Sequence, residues 1–175
     1  MIVEFGGKRP RIHKTAFVHP TATIIGDVTL GEHSSVWPGA VVRADFGRIR
    51  IGRYTCIQDN AVVHLADVYG EKKARYLPTK IGNYVIVGHN ALLHGCTVED
   101  NCIVGAGSIV FNGARVGKGS LVGLGAVVIH DVKVPPCTIM VGIPARPLRV
   151  LTDDEFKRIR VQAENYAKLA KKYRC

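Results

Sequence analysis

An apolar residue recurs at every sixth position over most of this chain, and few backbone architectures accept that spacing. Stepping by six from Ile12 meets Val18, Ile24, Leu30, Val36 and Val42. Shorter series run Ile51, Ile57, Val63 and Ile81, Val87, Leu93, and the longest runs Val98, Val104, Val110, Val116, Val122, Val128, Val134. Four residues beyond an anchor the side chain is usually small, as at Ala22, Ser34, Ala40, Ala61, Ala91, Cys102, Ser108, Ala114 and Ser120. An α-helix is excluded because six is not near a multiple of its roughly 3.6 residues per turn. Short strands that alternate inward and outward satisfy the pattern, with a small or glycine residue at each tight corner. Three such strands close a triangular rung of about eighteen residues, and rungs stack about 4.8 Å apart through backbone hydrogen bonds. The reading is an all-β chain, a parallel β-helix of hexapeptide repeats with about six rungs.

The register breaks three times: nine residues separate Val42 from Ile51, eighteen separate Val63 from Ile81, and five separate Leu93 from Val98. The middle break adds a charged loop at residues 65–80, and loops on a rigid scaffold often carry function. After Val134 the coil ends at Pro135-Pro136 and Pro144-Ala145-Arg146-Pro147. Thr152 and Glu155 form a capping box opening a helix whose apolar stripe reads Phe156, Ile159, Ala163, Tyr166, Ala170, Tyr173. The expected organisation is a coil domain over residues 1–150 and a helix over 151–175 that packs on the coil or on a neighbouring subunit.

Composition restricts the function. A net charge of +10 invites nucleic acid, yet 8 of the 24 basic residues lie between Arg149 and Arg174, alternating with acids along that helix. Without aromatic-basic interleaving this reads as a solvated face, with a positive field for small anions as the weaker functional reading and no nucleic-acid partner. No apolar run reaches the roughly 20 residues of a membrane span, and the N-terminus lacks the apolar core of a secretory signal. The expected location is cytoplasmic. Cys56, Cys96, Cys102, Cys137 and Cys175 form no C-x-x-C pair and are odd in number, which argues against a disulfide framework.

Three histidines beside the inserted loop carry chemistry. His64 and His94 each follow an anchor, and 30 residues less the 12 inserted ones leave 18, one full rung. The two therefore stand one above the other. Two ligands of one tetrahedral zinc lie about 3.3 Å apart at bond lengths near 2.05 Å, which stacked side chains can reach. His89 is the second residue after Val87, on the adjacent face, out of reach of a metal held by the pair in its own chain. It can reach one held by a neighbour, and a threefold assembly lets each subunit give two histidines to one site and one to the next. Three neutral imidazoles with an open fourth position are the ligand set of a catalytic zinc. His13, His19, His33 and His130 lack such partners and read as surface or packing residues.

Arg43-Ala44-Asp45, the run Ile57 to His64 (IQDNAVVH) and the run Val87 to Gly95 (VGHNALLHG) closely resemble the γ-class carbonic anhydrases and their relatives known as ferripyochelin-binding proteins. The similarity runs from about Phe17 to Tyr166. The resemblance implies a left-handed coil, against the usual crossover preference. It also implies a homotrimer with zinc, or iron(II) or cobalt, held at each interface by His64, His89 and His94. Its activity would be reversible hydration of carbon dioxide to bicarbonate by a metal-bound hydroxide. Gln58 would position the metal-bound water, Arg43 and Asp45 would pair near the site with Asp59 close by, and Tyr166 would overhang the pocket. From the residues alone, Arg43 and Asp45 also fit a simple assembly pair, and Tyr166 also fits the apolar stripe of the helix. The loop departs from the family pattern. It is basic, with Glu71 followed by Lys72, Lys73 and Arg75, and nothing aligns Glu71 with an acidic proton shuttle. Two rival classes remain: a coenzyme-A-dependent hexapeptide acyltransferase, and a non-catalytic metal-binding or assembly module.

Overall fold

A computed structural model describes residues 1–68 and 75–173. The described chain is a parallel β-solenoid followed by one helix. On one face the strands Phe17–Val18, Ser35–Val36, Cys56–Ile57, Ile86–Val87, Ile103–Val104, Leu121–Val122 and Thr138–Val141 pair in parallel in that order. Val42, Val63, Leu93, Val110 and Val128 stack on a second face, and Leu30, Ile51, Ile81, Val98, Val116 and Val134 on the third. All of these anchors are buried, and together they line a core no wider than the side chains that fill it. The solenoid has about seven turns against the six expected. The extra rung includes Met140, which lies six residues after Val134, pairs with Val122 and is buried. An anchor series restricted to Ile, Leu and Val stops one step short of it.

Each break in the period has a structural form. Across the first, Gly26 faces Ala44 but Val28 faces Ile49, so Asp45, Phe46, Gly47 and Arg48 oppose Asp27 alone and bulge outward. The second, expected as a loop, begins as an antiparallel hairpin in which Ala66–Val68 pairs with Arg75–Leu77. The middle of that segment, including Glu71, Lys72 and Lys73, lies outside the described residues. The third is a shortened corner made by Gly95 at φ +55°, where a Cβ would meet the Ala66 Cβ at 2.3 Å. Only glycine fits that approach.

The coil ends by turning back on itself. Thr138–Val141 pairs antiparallel with the exposed strand Arg146–Val150, with an irregular register between Ile139 and Met140. A helix then runs Asp153–Lys172, its capping box complete between Thr152 and Glu155. It packs on its own coil through Ile159, Ala163, Ala167 and Ala170, against Ile139 and Leu151 at one end and Phe17, Trp37 and Cys56 at the other. Of the expected stripe, Phe156 and Tyr166 are half-buried and Tyr173 is exposed, while Ala167 joins the contact. Among the described residues no helix is long and apolar enough to cross a membrane.

Leu93 is fully buried mid-column between Val63 and Val110, whereas Leu124 is 80% exposed. Leu93→Ala should cost about 2–5 kcal/mol in a denaturant titration, and Leu124→Ala within about 0.5. Equal losses would mean that the inner columns do not carry the stability.

Candidate metal centre

Parallel pairing fixes the first requirement of a metal site, the alignment of its donors. His64 and His94 end the strands Val62–His64 and Leu92–His94 and are directly paired across them. His64 Nδ1 lies 3.3 Å from His94 Nε2. That is the separation two imidazoles take around one tetrahedral ion.

The outer nitrogens determine what the inner ones offer. Asp45 Oδ1 sits 3.0 Å from His64 Nε2, and a carboxylate there can only accept, so that nitrogen carries the hydrogen. Asn112 Oδ1 sits 2.6 Å from His94 Nδ1 and likewise accepts. Each ring is thereby left with a lone pair on the nitrogen that faces the other. Two facing lone pairs at this distance repel unless a cation lies between them. Burial, with Arg43 and His94 adding to it and the Asp45 hydrogen bond opposing it, lowers the His64 pKa, which favours the neutral, ligand-competent ring. A metal ion suits this donor set.

The carboxylate behind His64 is held in its turn. Burial alone would raise the Asp45 pKa, but the His64 hydrogen bond, the Asp45 backbone and the neighbouring Arg43 guanidinium hold it below its usual value. Arg43 pairs directly with the second oxygen of Asp45. The bulge after Ala44 makes this possible, because it lifts Asp45 and Phe46 out of the ladder. Phe46 meets the His64 ring edge-on at 5.2 Å, and Tyr76 of the hairpin packs on Phe46 at 4.7 Å. Phe111 stacks on His94 at 5.3 Å. The His64 carbonyl accepts from the Thr79 hydroxyl and the Gly95 amide, so its backbone is pinned as well.

His89 sits in the turn that follows Ile86–Val87 of the other sheet, two residues past Val87. Its Nδ1 lies 3.0 Å from Asp59 Oδ2, and the side chain is half exposed. Asp59 holds the equivalent place one rung earlier, since Val87 pairs with Ile57. Gln58 is buried beside it near Tyr166, whose pKa is raised by burial first and by nearby Cys56 and Asp59, with Gln58 opposing. Tyr166 also packs edge-on against Trp37 at 6.1 Å. The sequence-predicted residues thus fall into two groups: Arg43, Asp45, His64 and His94 on one face, and Gln58, Asp59 and His89 at the next, with Tyr166 above them on the helix. Among the described residues no three His, Cys, Asp or Glu side chains of this single chain could hold a metal together.

Sequence reasoning missed Asn112, Phe46, Phe111 and Thr79. Phe46 sits inside the nine-residue interval, so the break itself was the available signal. Asn112 lies eighteen residues after His94, a step a rung count would have reached.

Comparison with known proteins gives a consistent picture. A family described as bacterial transferase hexapeptide (six repeats) matches residues 9–44 and 78–112. A probable carbonic anhydrase of Methanocaldococcus jannaschii is 46% identical over 91% of this chain and 95% of its own length. The mitochondrial gamma carbonic anhydrase 2 of Arabidopsis thaliana is 43% identical over 93% of this chain, which spans only 58% of that protein. A solved structure of a putative acetyltransferase from Bacillus cereus superposes with a TM-score of 0.90 at 32% identity, covering 98% of this chain and 95% of that one.

Carboxylate and amide partners behind metal-bound histidines typically account for ten- to a hundredfold in affinity. Asp45→Asn and Asn112→Leu should each weaken zinc binding by roughly that factor in competition with a chelating dye, with the fold intact by circular dichroism. Unchanged affinity in both would remove the pair from consideration as ligands.

Proposed function

Because the chain belongs to the γ-class carbonic anhydrase family, we propose that it reversibly hydrates carbon dioxide to bicarbonate at metal sites shared between the subunits of a homotrimer. The observation that carries this reading is the pair of facing imidazole nitrogens 3.3 Å apart, with a third histidine on the adjoining face. His64 and His94 of one subunit and His89 of another would complete the ligand set. Zinc bound there would lower the pKa of a coordinated water from about 15.7 towards 7, and so supply a hydroxide nucleophile at neutral pH. Iron(II) or cobalt would fit the same three nitrogens.

The chain's own residues supply orientation. Asp45, Asn112 and Asp59 each hold one imidazole through its outer nitrogen, so the inner nitrogens keep their aim without the metal having to organise them. Gln58 is buried, one residue before the Asp59 that holds His89, a neutral donor and acceptor suited to aligning a water. Arg43 neutralises Asp45, which stops a free carboxylate from competing for the metal. Phe46 and Phe111 present apolar rings beside the two histidines, an environment that suits a neutral, apolar gas. Solved relatives include a hexapeptide transferase family protein of Anaplasma phagocytophilum and the putative acetyltransferase of Bacillus cereus, which favours acyl transfer as a second reading. That chemistry needs one general-base histidine and no metal, so metal dependence separates the two.

Stopped-flow hydration of carbon dioxide by the purified protein should be lost on chelation and restored by zinc. Equal rates before and after verified metal removal would count decisively against the proposal.

A shared site makes a sharper demand. His64→Ala and His89→Ala chains, each unable to build a site alone, should complement one another when co-refolded. A mixed trimer keeps one of three sites, because a His89→Ala subunit supplies the intact pair and a His64→Ala neighbour supplies His89. Random mixing therefore restores about a quarter of the wild-type metal content. If mass spectrometry finds mixed trimers with no metal above the parent variants, the ligands are not shared.

A further inference from the structure

We infer that the trough between the C-terminal helix and the adjacent corner of the coil is a binding site for a soluble organic polyphosphate of the nucleoside-polyphosphate type. This is independent of the metal centre and of the reading given for it. The floor of the trough is a column of corner residues at left-handed φ on successive rungs: His33, Tyr54, Tyr84 and Asn101. Each of the last three is tied to the rung below through its amide, at 2.8, 2.9 and 2.8 Å. Glycine would take these φ values without strain, and large aromatic side chains seldom do. Here they form a ladder, with His33 and Tyr54 4.8 Å apart and Tyr54 and Tyr84 stacked at 5.1 Å.

The facing wall is one stripe of the helix. Lys157, Arg160, Glu164, Lys168 and Lys171 recur at intervals of three or four and so share a side. Lys157, Arg160 and Glu164, with Arg53 and Lys118 of the coil, line a space of about 610 Å³. Past Glu164 a second space of about 310 Å³ continues between Lys168, Lys171 and the His33–Tyr54 end of the floor. From Lys157 to Lys171 the helix rises about 21 Å.

Charge along this trough is unbalanced. Of the two carboxylates that line it, Asp100 accepts the Asn83 amide at 2.7 Å and Glu164 pairs with Arg160 at 3.1 Å, while at its margins Glu99 accepts the Lys118 backbone amide at 2.8 Å and Glu32 lies 3.5 Å from His33. Among the described residues no carboxylate pairs with Arg53, Lys118, Lys157, Lys168 or Lys171. Cations gathered on both sides of a concave surface repel one another and focus a positive field into it. A single phosphate would meet only a few of them. A chain of phosphates matches their spread, and Phe156 and Val161 offer an apolar contact for the organic part.

The tyrosine faces also restrict the ligand. Tyr84 has Tyr54 on one side and the Arg160 guanidinium 4.5 Å from its ring centre, so no open ring face waits for a base. Proteins that hold single-stranded nucleic acid depend on such open faces. Recognition here is by charge and length, with little discrimination between bases.

The test is calorimetric titration of the full-length, zinc-loaded protein with ATP, GTP and sodium tripolyphosphate. The expected result is saturable binding of one ligand per chain, similar for ATP and GTP and weakening as salt rises. Lys118→Gln with Lys157→Gln should weaken it at least tenfold, and so should Arg160→Gln alone. Lys8→Gln with Lys133→Gln, which removes the same charge elsewhere, should leave it within twofold. The His64→Ala protein should bind as tightly as the parent, which separates the trough from the metal centre. Equal losses in the two lysine pairs, loss of binding in His64→Ala, no saturation, or an oligonucleotide binding tenfold tighter than ATP would each overturn the inference.

Discussion

Strands stacked in parallel at one spacing tolerate no change in their inward face, because each rung must place its apolar side chains over those of the rung before. Any residue beyond the repeat therefore has to leave the coil outward. Paired positions on one face are separated by 18 residues from Phe17 to Ser35, by 21 from Ser35 to Cys56, by 30 from Cys56 to Ile86 and by 17 from Ile86 to Ile103. The inner column passes through all of these intervals without a fault. The departures appear outside, at a bulge, a hairpin and a shortened corner, and all three meet at His64 and His94. The bulge supplies Asp45 and Phe46, the hairpin brings Tyr76 against Phe46, and Gly95 binds the His64 carbonyl. Irregularity in this chain is concentrated around the candidate metal ligands His64 and His94.

That concentration explains what could be read from residues alone. The hexad spacing is a direct image of the rung, so the coil and the stacking of His64 on His94 follow from counting, and the capping box of Thr152 and Glu155 marks the helix. The same count puts His89 on another face. Contacts that cross between rungs do not follow, because they depend on how far a bulge projects and which way an amide turns. Asn112 reaches His94 from the next rung, and Phe46 reaches His64 across the bulge, neither of which a periodicity records. The additional turn was lost for a simpler reason, a methionine standing where branched aliphatics stand elsewhere. The hairpin at the base of the inserted segment read as a loop, since its strands are three residues each and carry no clear alternation.

Cysteine placement bears on the same division between inside and outside. Cys56, Cys96 and Cys102 are buried, and burial raises each thiol to about 12 despite opposing hydrogen bonds. At neutral pH they are small apolar fillers, with no thiolate to compete for a metal or to oxidise. These three soft donors are thus locked away from the histidines, while Cys137 stays partly exposed.

A coil of this kind carries a hazard at its ends, because the last rung exposes a full row of unpaired amides and carbonyls on which another molecule's first rung could grow. On one of its three faces the chain covers that edge with its own Arg146–Val150, laid antiparallel where a further rung would run parallel. The covering strand is a poor acceptor of any successor: Pro147 removes a donor, Arg146 adds a charge, and its register on Thr138–Val141 is irregular. The turn-back therefore blunts the last rung on that face, where a structure built by repetition would otherwise offer a growing edge to its neighbours.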